Sequence, residues 1–196
     1  MSSIDGLLTH ARGRVHHPPA RQGPQPRLRT AIVTCMDARI DPVSLFGLTR
    51  GDANVIRNAG AQATPDVLRS LALSQAILGT REVLVLGHTG CGLSERTEAD
   101  LAETIRSKSG HLPGMRLGAF HDLDRAVAET VEALRRCPFL TYRDGIHGFV
   151  YELDSDTLRP VAGGEVHGSD AILARPMTGL EMLPADVLNL KRARRR

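Results

Sequence analysis

The 196-residue chain has no tryptophan, and two tyrosines and four phenylalanines are all its aromatic side chains. That scarcity argues against nucleic-acid binding by the body of the protein, because stacking platforms for bases need aromatic faces. Cysteine is scarce as well. Cys35, Cys91 and Cys137 are an odd number and too few for a disulfide framework, which excludes a small secreted scaffold and fits a reducing compartment. No stretch approaches the roughly 18 consecutive apolar residues of a membrane span. The opening "MSSIDGLLTHARGRVHHPPARQ" has no basic segment followed by an apolar one, so no secretory signal is read there. The expected location is cytoplasmic. A dominant charge of one sign is missing too. The formal net charge is +3, but the closing "KRARRR" holds five of the 25 basic side chains, and without it 20 basic residues face 22 acidic ones. The body is near neutral. The basicity sits in a tail, read as a solvated end and as the one place where nucleic acid or an acidic partner could be touched.

What remains is an ordinary globular composition, 41% apolar and 24% charged, in a chain long enough for one domain with a proper core. A short helix is expected over 4–16, followed by a proline-rich extended connector, "HHPPARQGPQPR", over 16–27. "TAIVTC", 30–35, reads as a β-branched, apolar strand, and "NVIRNAG", 54–60, as a second short strand running into a glycine turn. "TPDVLRSLALSQAILG", 64–79, carries the marks of a helix: Thr64 to cap it, Pro65 at its first position, Asp66 at the positive end of its dipole and Gly79 to close it. "EVLVLGH", 82–88, is a buried strand. A second helix is expected over 120–136, with Leu123, Val127, Val131 and Leu134 on one face. "IHGFVYEL" and "LRPV" flank "DSDT" as strand, turn and strand.

Strands alternating with helices imply an α/β fold, a central, mainly parallel sheet flanked by helices, here with a C-terminal antiparallel strand. Three segments are expected: an N-terminal arm and connector over 1–27, the globular domain over 28–161, and an appended extension with a basic tail over 162–196. There is no internal repeat.

Ligands of such sheets bind beyond the carboxyl ends of the strands, and two strands here end in reactive side chains. The first runs into Cys35, Asp37 and Arg39 on alternate positions. The third runs into "GHTGCGL", 87–93, which puts His88 and Cys91 three apart on a glycine-rich turn. Zinc takes thiolate and imidazole ligands in a tetrahedron, and a tight turn lets both reach one ion. Cys35 would be the third ligand, with the fourth position open or taken by Asp37. Three protein ligands and an open position is the pattern of catalytic zinc. Cys137, between a long helix and Pro138, reads as a small buried hydrophobe instead. Asp37 and Arg39 could equally form an ordinary surface ion pair, but their place between two ligand-bearing strand ends favours a catalytic role.

"CMDAR", "VIRNAG" and "GHTGCG", in this order and spacing, resemble the β-class carbonic anhydrases, and most of all their short bacterial members. The likeness covers about residues 28–161. It implies a zinc enzyme that hydrates carbon dioxide reversibly to bicarbonate and a proton by zinc-hydroxide attack. Cys35, His88 and Cys91 then correspond to the zinc ligands. Asp37 would accept a hydrogen bond from the nucleophile, Arg39 would hold Asp37, and Gly60 would lie where backbone groups line the substrate pocket. It also implies a homodimer or higher even oligomer, with the sites near the interface and an N-terminal arm reaching across the partner.

The chain departs from the family pattern in places. Residue 90 is Gly where related sequences often carry Asp, and no residue clearly matches the glutamine some branches use near the first motif. The connector leaves a short arm, and the extension beyond about 162 has no counterpart in compact members. His10, His16, His17, His111, His121, His147 and His167 are scattered, and none is assigned as a proton shuttle. Two rival readings share the zinc site: hydrolysis of carbon disulfide or carbonyl sulfide by the same nucleophile, and a non-catalytic zinc protein with Asp37 as permanent fourth ligand.

Overall fold

In the computed structural model, residues 3–4, 7–8 and 23–161 are described. The helix expected over 4–16 therefore lies largely outside the described residues, although Ile4, Leu7 and Leu8 are helical. The connector up to residue 22 and the extension over 162–196 also lie outside them.

Five strands form one sheet: β1 (Thr30–Cys35), β2 (Ala53–Asn58), β3 (Glu82–His88), β4 (Ile146–Glu152) and β5 (Thr157–Pro160). Their order is β2-β1-β3-β4-β5. The first four run parallel and β5 returns antiparallel to β4. This is the α/β sheet anticipated from the sequence. β1 lies inside it and is buried from Ala31 to Cys35, as expected of a parallel strand covered on both faces. β2 forms one edge.

Within residues 23–161 the helices are α1 (Pro42–Leu45), α2 (Pro65–Ala76), α3 (Glu98–Ser109) and α4 (Leu123–Arg136). α2 starts as its sequence dictates: the Thr64 side chain accepts from the Val67 amide, Pro65 follows, and Asp66 occupies the first turn. α4 begins at Leu123 rather than at 120, because the Asp122 carboxylate accepts from the Arg125 amide and caps it there. Its buried Val127, Val131 and Leu134 join Val83, Val85, Ile146 and Val150 of the sheet in one core, and Cys137 is part of that core. Two glycines let this helix come close. A methyl group on Gly148 would stand 2.8 Å from Val127 Cγ1, and one on Gly87 would stand 2.5 Å from Val127 Cγ2.

β2 ends at Asn58 and runs, as expected, into the glycine turn, a 3₁₀ turn over Ala59–Ala61. The Asn58 side chain closes that turn, accepting from the Gln62 amide at 3.0 Å and donating to the Gln62 carbonyl at 2.8 Å. α3 is absent from the sequence reading. None of its residues is buried, so it has no apolar stripe to betray it. Its signal is the capping box of Thr97 and Asp100 and the left-handed Gly110 that ends it.

Candidate metal centre

The parallel register sets the ends of β1 and β3 side by side: Thr34 pairs with Leu86 across the ladder, and the Thr34 hydroxyl donates to the Leu86 carbonyl at 3.1 Å. Cys35 ends β1 and His88 ends β3. Cys91 follows on a turn made possible by Gly90, whose φ of +63° lies in the left-handed region. One sulfur of each cysteine and one ring nitrogen of His88 lie within 4.8 Å of one another. All three residues are buried, at 4%, 1% and 6% exposure for Cys35, His88 and Cys91.

The donor set fits a metal ion on the chemistry of its own atoms. His88 Nδ1 lies 2.9 Å from the Thr89 carbonyl, which assigns the ring proton to Nδ1 and leaves Nε2 with its lone pair. His88 Nε2 is buried and has no hydrogen-bond partner. A buried polar atom left alone is costly, and a cation among two sulfurs and this nitrogen would satisfy it. The turn carrying the ring is itself tied down. The Thr89 amide donates to the Tyr151 carbonyl at 3.0 Å, and the Thr89 hydroxyl oxygen accepts from the Leu153 amide at 3.0 Å.

The sulfurs are electrostatically unequal. The neighbouring Cys91 thiol lowers the Cys35 pKa; burial opposes this, while His88 and the backbone amides of Asp37 and Gly60 add to the lowering. Cys91 is raised by the Cys35 sulfur beside it, and its burial adds to the shift. Burial works against a charged His88, but the Cys35 sulfur, the Thr89 carbonyl and Asp37 outweigh it and raise its pKa. The pair of thiols therefore resists losing both protons. Removing its second proton needs a compensating cation, which is how a divalent metal competes with protons for such a site.

Asp37 and Arg39 stand at the mouth of this cluster. Arg39 donates twice to the carboxylate, Nε to Oδ1 at 2.9 Å and Nη2 to Oδ2 at 2.6 Å, and its backbone amide donates to Oδ1 at 3.0 Å. Nη2 also reaches the Gly90 carbonyl at 2.8 Å, so the arginine links the first motif to the turn between His88 and Cys91. This bidentate pair holds the Asp37 carboxyl well below the usual carboxylate range. Asp37 Oδ2 lies 4.0 Å from His88 Nε2. Gly60, with φ of +75°, faces Cys35 through its amide, and a methyl group on it would stand 2.9 Å from Leu93 Cδ1 and 3.4 Å from Phe120 Cε1.

All six residues singled out from the sequence, Cys35, Asp37, Arg39, Gly60, His88 and Cys91, therefore converge on one place. Cys137 is not among them. Arg57 and Asn58, both inside "VIRNAG", and Thr89 support the site as well; each acts through backbone groups, so its residue type does not mark it in the sequence.

The family model described as carbonic anhydrase matches residues 30–116. The chain is 39% identical over 136 residues to β-carbonic anhydrase 1 of Mycobacterium tuberculosis, a match that covers 69% of this chain and 83% of that one. It is 30% identical over 155 residues to the carbon disulfide hydrolase of an Acidianus species, covering 67% and 76% respectively. Among solved structures, the carbonic anhydrase of Streptococcus mutans superposes with a TM-score of 0.78 at 35% identity, over 83% of this chain and 99% of that one. A cysteine–histidine–cysteine cluster at adjacent strand ends, with a latched aspartate at its mouth, is thus carried by a chain that belongs to the β-carbonic anhydrase family.

Proposed function

We propose that the protein is a zinc enzyme that hydrates carbon dioxide reversibly to bicarbonate and a proton. The observation that carries this reading is the buried cluster of Cys35, His88 and Cys91, in which His88 Nε2 has no partner. Bound there, zinc supplies a water acidified toward neutrality, and hence a hydroxide nucleophile for the carbon of carbon dioxide. The protein's own groups do the rest. Cys35 and Cys91 offset the charge of the ion as thiolates, and His88 presents the lone pair that Thr89 has freed. Asp37, ionised and aimed at the same place, accepts the O–H of the nucleophile and turns its lone pair toward the substrate. Arg39 commits both Asp37 oxygens to itself, which keeps the carboxylate from taking the fourth ligand position. That arrangement favours the catalytic reading over a closed, non-catalytic site. Gly60 packs so closely on Leu93 and Phe120 that only backbone fits there, and in this reading that backbone lines the substrate pocket.

The similarity to a carbon disulfide hydrolase gives a second reading with the same nucleophile and a different linear substrate. Stopped-flow assays of the zinc-loaded protein with carbon dioxide and with carbon disulfide decide between them, and no turnover of either would overturn both. In the carbon dioxide assay, Asp37→Ala should keep its zinc and lose about 100-fold in rate, since orientation is needed at every turnover. Unchanged hydration across about pH 6.5 to 9, a range around the near-neutral pKa of zinc-bound water, would remove the role given to Asp37.

The protein works as a homodimer or higher even oligomer. β2 forms an edge of the sheet and Val55 on it is 37% exposed, and edges of this kind are covered in stable proteins. A monomer by light scattering at micromolar concentration would count against this. Among the described residues no helix is long and apolar enough to cross a membrane. That fits a cytoplasmic enzyme, as do three free, buried cysteines.

A further inference from the structure

β2 and β1 end in step, with Arg57 opposite Thr34 and Asn58 opposite Cys35. The exposed Arg57 side chain leaves its own strand and crosses to the loop beyond β1. Its Nε donates to the Cys35 carbonyl at 2.9 Å and its Nη2 to the Asp37 carbonyl at 2.6 Å. Between those two residues the Met36 amide donates to the Asn58 carbonyl at 2.8 Å. Among the described residues Arg57 forms no ion pair with a carboxylate. A surface arginine engaged only by two carbonyls of one loop serves no charge-pairing purpose. Its planar fork, with donors on separate nitrogens, spans two acceptors that the single nitrogen of a lysine cannot span in the same geometry.

We infer that Arg57 is a positioning residue, which clamps the Cys35–Asp37 backbone so that the Asp37 carboxylate stays aligned with Arg39 and aimed at the metal cluster. The inference rests on the proposed hydratase reading for its kinetic arm. The bonds on either side of Met36 are the hinges about which Asp37 could swing while Cys35 stays in the sheet. Arg57 and Asn58 take up the Cys35 carbonyl, the Met36 amide and, together with the Ile40 amide, the Asp37 carbonyl. Arg39 fixes the carboxylate from outside, and Arg57 fixes the main chain that carries it.

A double-mutant cycle tests this. Arg57→Gln should retain one zinc per chain and lower kcat for carbon dioxide by about tenfold, with little change in KM, as expected of a misplaced orienting group. In an Asp37→Ala background the same change should cost less than about twofold, because the group it positions is gone. Arg57→Lys should fall between wild type and Arg57→Gln. A second readout is the visible absorption of the cobalt(II)-substituted protein. Arg57→Gln should alter its bands in the wild-type background and leave them unaltered in the Asp37→Ala background. An equal loss of kcat in both backgrounds, or loss of zinc with unchanged activity per zinc, would overturn the assignment. If the wild-type protein hydrates no carbon dioxide, the hydratase reading fails. The cobalt spectra then decide on Arg57 alone, and identical spectra for wild type and Arg57→Gln would reject it.

Discussion

Cys35, His88 and Cys91 are almost wholly inaccessible, whereas not one residue of α3, which begins seven positions after Cys91, is buried. The two regions keep their shape by different means. At the strand ends, position is set by the sheet: β1 is flanked by parallel neighbours, the register places Cys35 near His88, and α4 presses on β3 at Gly87. Over 97–120, position is set by local hydrogen bonds. Thr97 and Asp100 close the start of α3, Gly110 its end, and the Glu98 carboxylate accepts from the amides of Leu117, Gly118 and Ala119 at 2.7–2.8 Å. Gln62 Nε2 ties this segment further, donating to the Gly118 carbonyl at 2.6 Å, and Phe120 bonds back to Leu93 and Glu95. A site that must hold a metal to tenths of an ångström is built on the first kind of scaffold. The second kind serves a segment with weaker demands, and such segments open locally at low free-energy cost.

The contrast can be broken most severely at the strand end. Cys35→Ala removes one of three donors and should abolish stoichiometric zinc and activity together, while Cys137→Ser should keep the full zinc content; elemental analysis distinguishes them, and full zinc in the Cys35 variant would reject the ligand assignment. Gly87→Ala comes next. Its methyl group would lie 2.5 Å from Val127 Cγ2 and 3.2 Å from Leu123 Cδ1, so α4 must shift away from β3. Overpacking of this kind costs about 1–3 kcal/mol, measurable as a lower denaturation midpoint, and zinc affinity should fall as His88 is displaced.

The capped segment should respond to acid on its own. The amides of Leu117 and Ala119 hold the Glu98 carboxyl below its ordinary value of 4.5. A carboxylate whose pKa is depressed by folding contributes stability above its unfolded value and loses it as pH falls through the folded one. Hydrogen exchange at 117–119 should therefore accelerate, relative to the β1 amides, as pH drops below 4.5, and Glu98→Gln should show the accelerated pattern at neutral pH. Exchange that stays uniform between the two regions would remove the distinction. The smallest effect is expected from deleting residues 191–196. No site residue lies there, and hydration should be unchanged.

What the sequence makes legible divides along the same line. β1, β3 and α2 were recognisable because burial writes a periodic apolar pattern, and because Thr64 and Pro65 punctuate the helix where the chain needs it. α3 escaped because a helix held by its caps carries no such pattern. The site was recognisable through its side chains, since two thiols, an imidazole, a carboxylate and a guanidinium at strand ends have little use in a core. Arg57, Asn58 and Thr89 escaped because their partners are carbonyls and amides, groups that every residue owns and no sequence marks.

The identity of the metal donors, the alternation of Cys35, Asp37 and Arg39, and the order of the strands and of the two apolar-faced helices, α2 and α4, follow from local chemistry, in which each residue type carries its own reactivity and periodicity. The meeting of β1 with β3, the choice of Nε2 as the free nitrogen of His88, and the hold of Arg57 on the loop beyond β1 do not. Parallel pairing brings Cys35 within 4.8 Å of His88 and Cys91, more than fifty positions away, and it sets Arg57 of β2 beside the loop beyond β1. The His88 turn, tied to β4, is what brings Nδ1 to the Thr89 carbonyl. Hydrogen bonds and coordination act over a few ångströms, and only the folded sheet decides which atoms come that near.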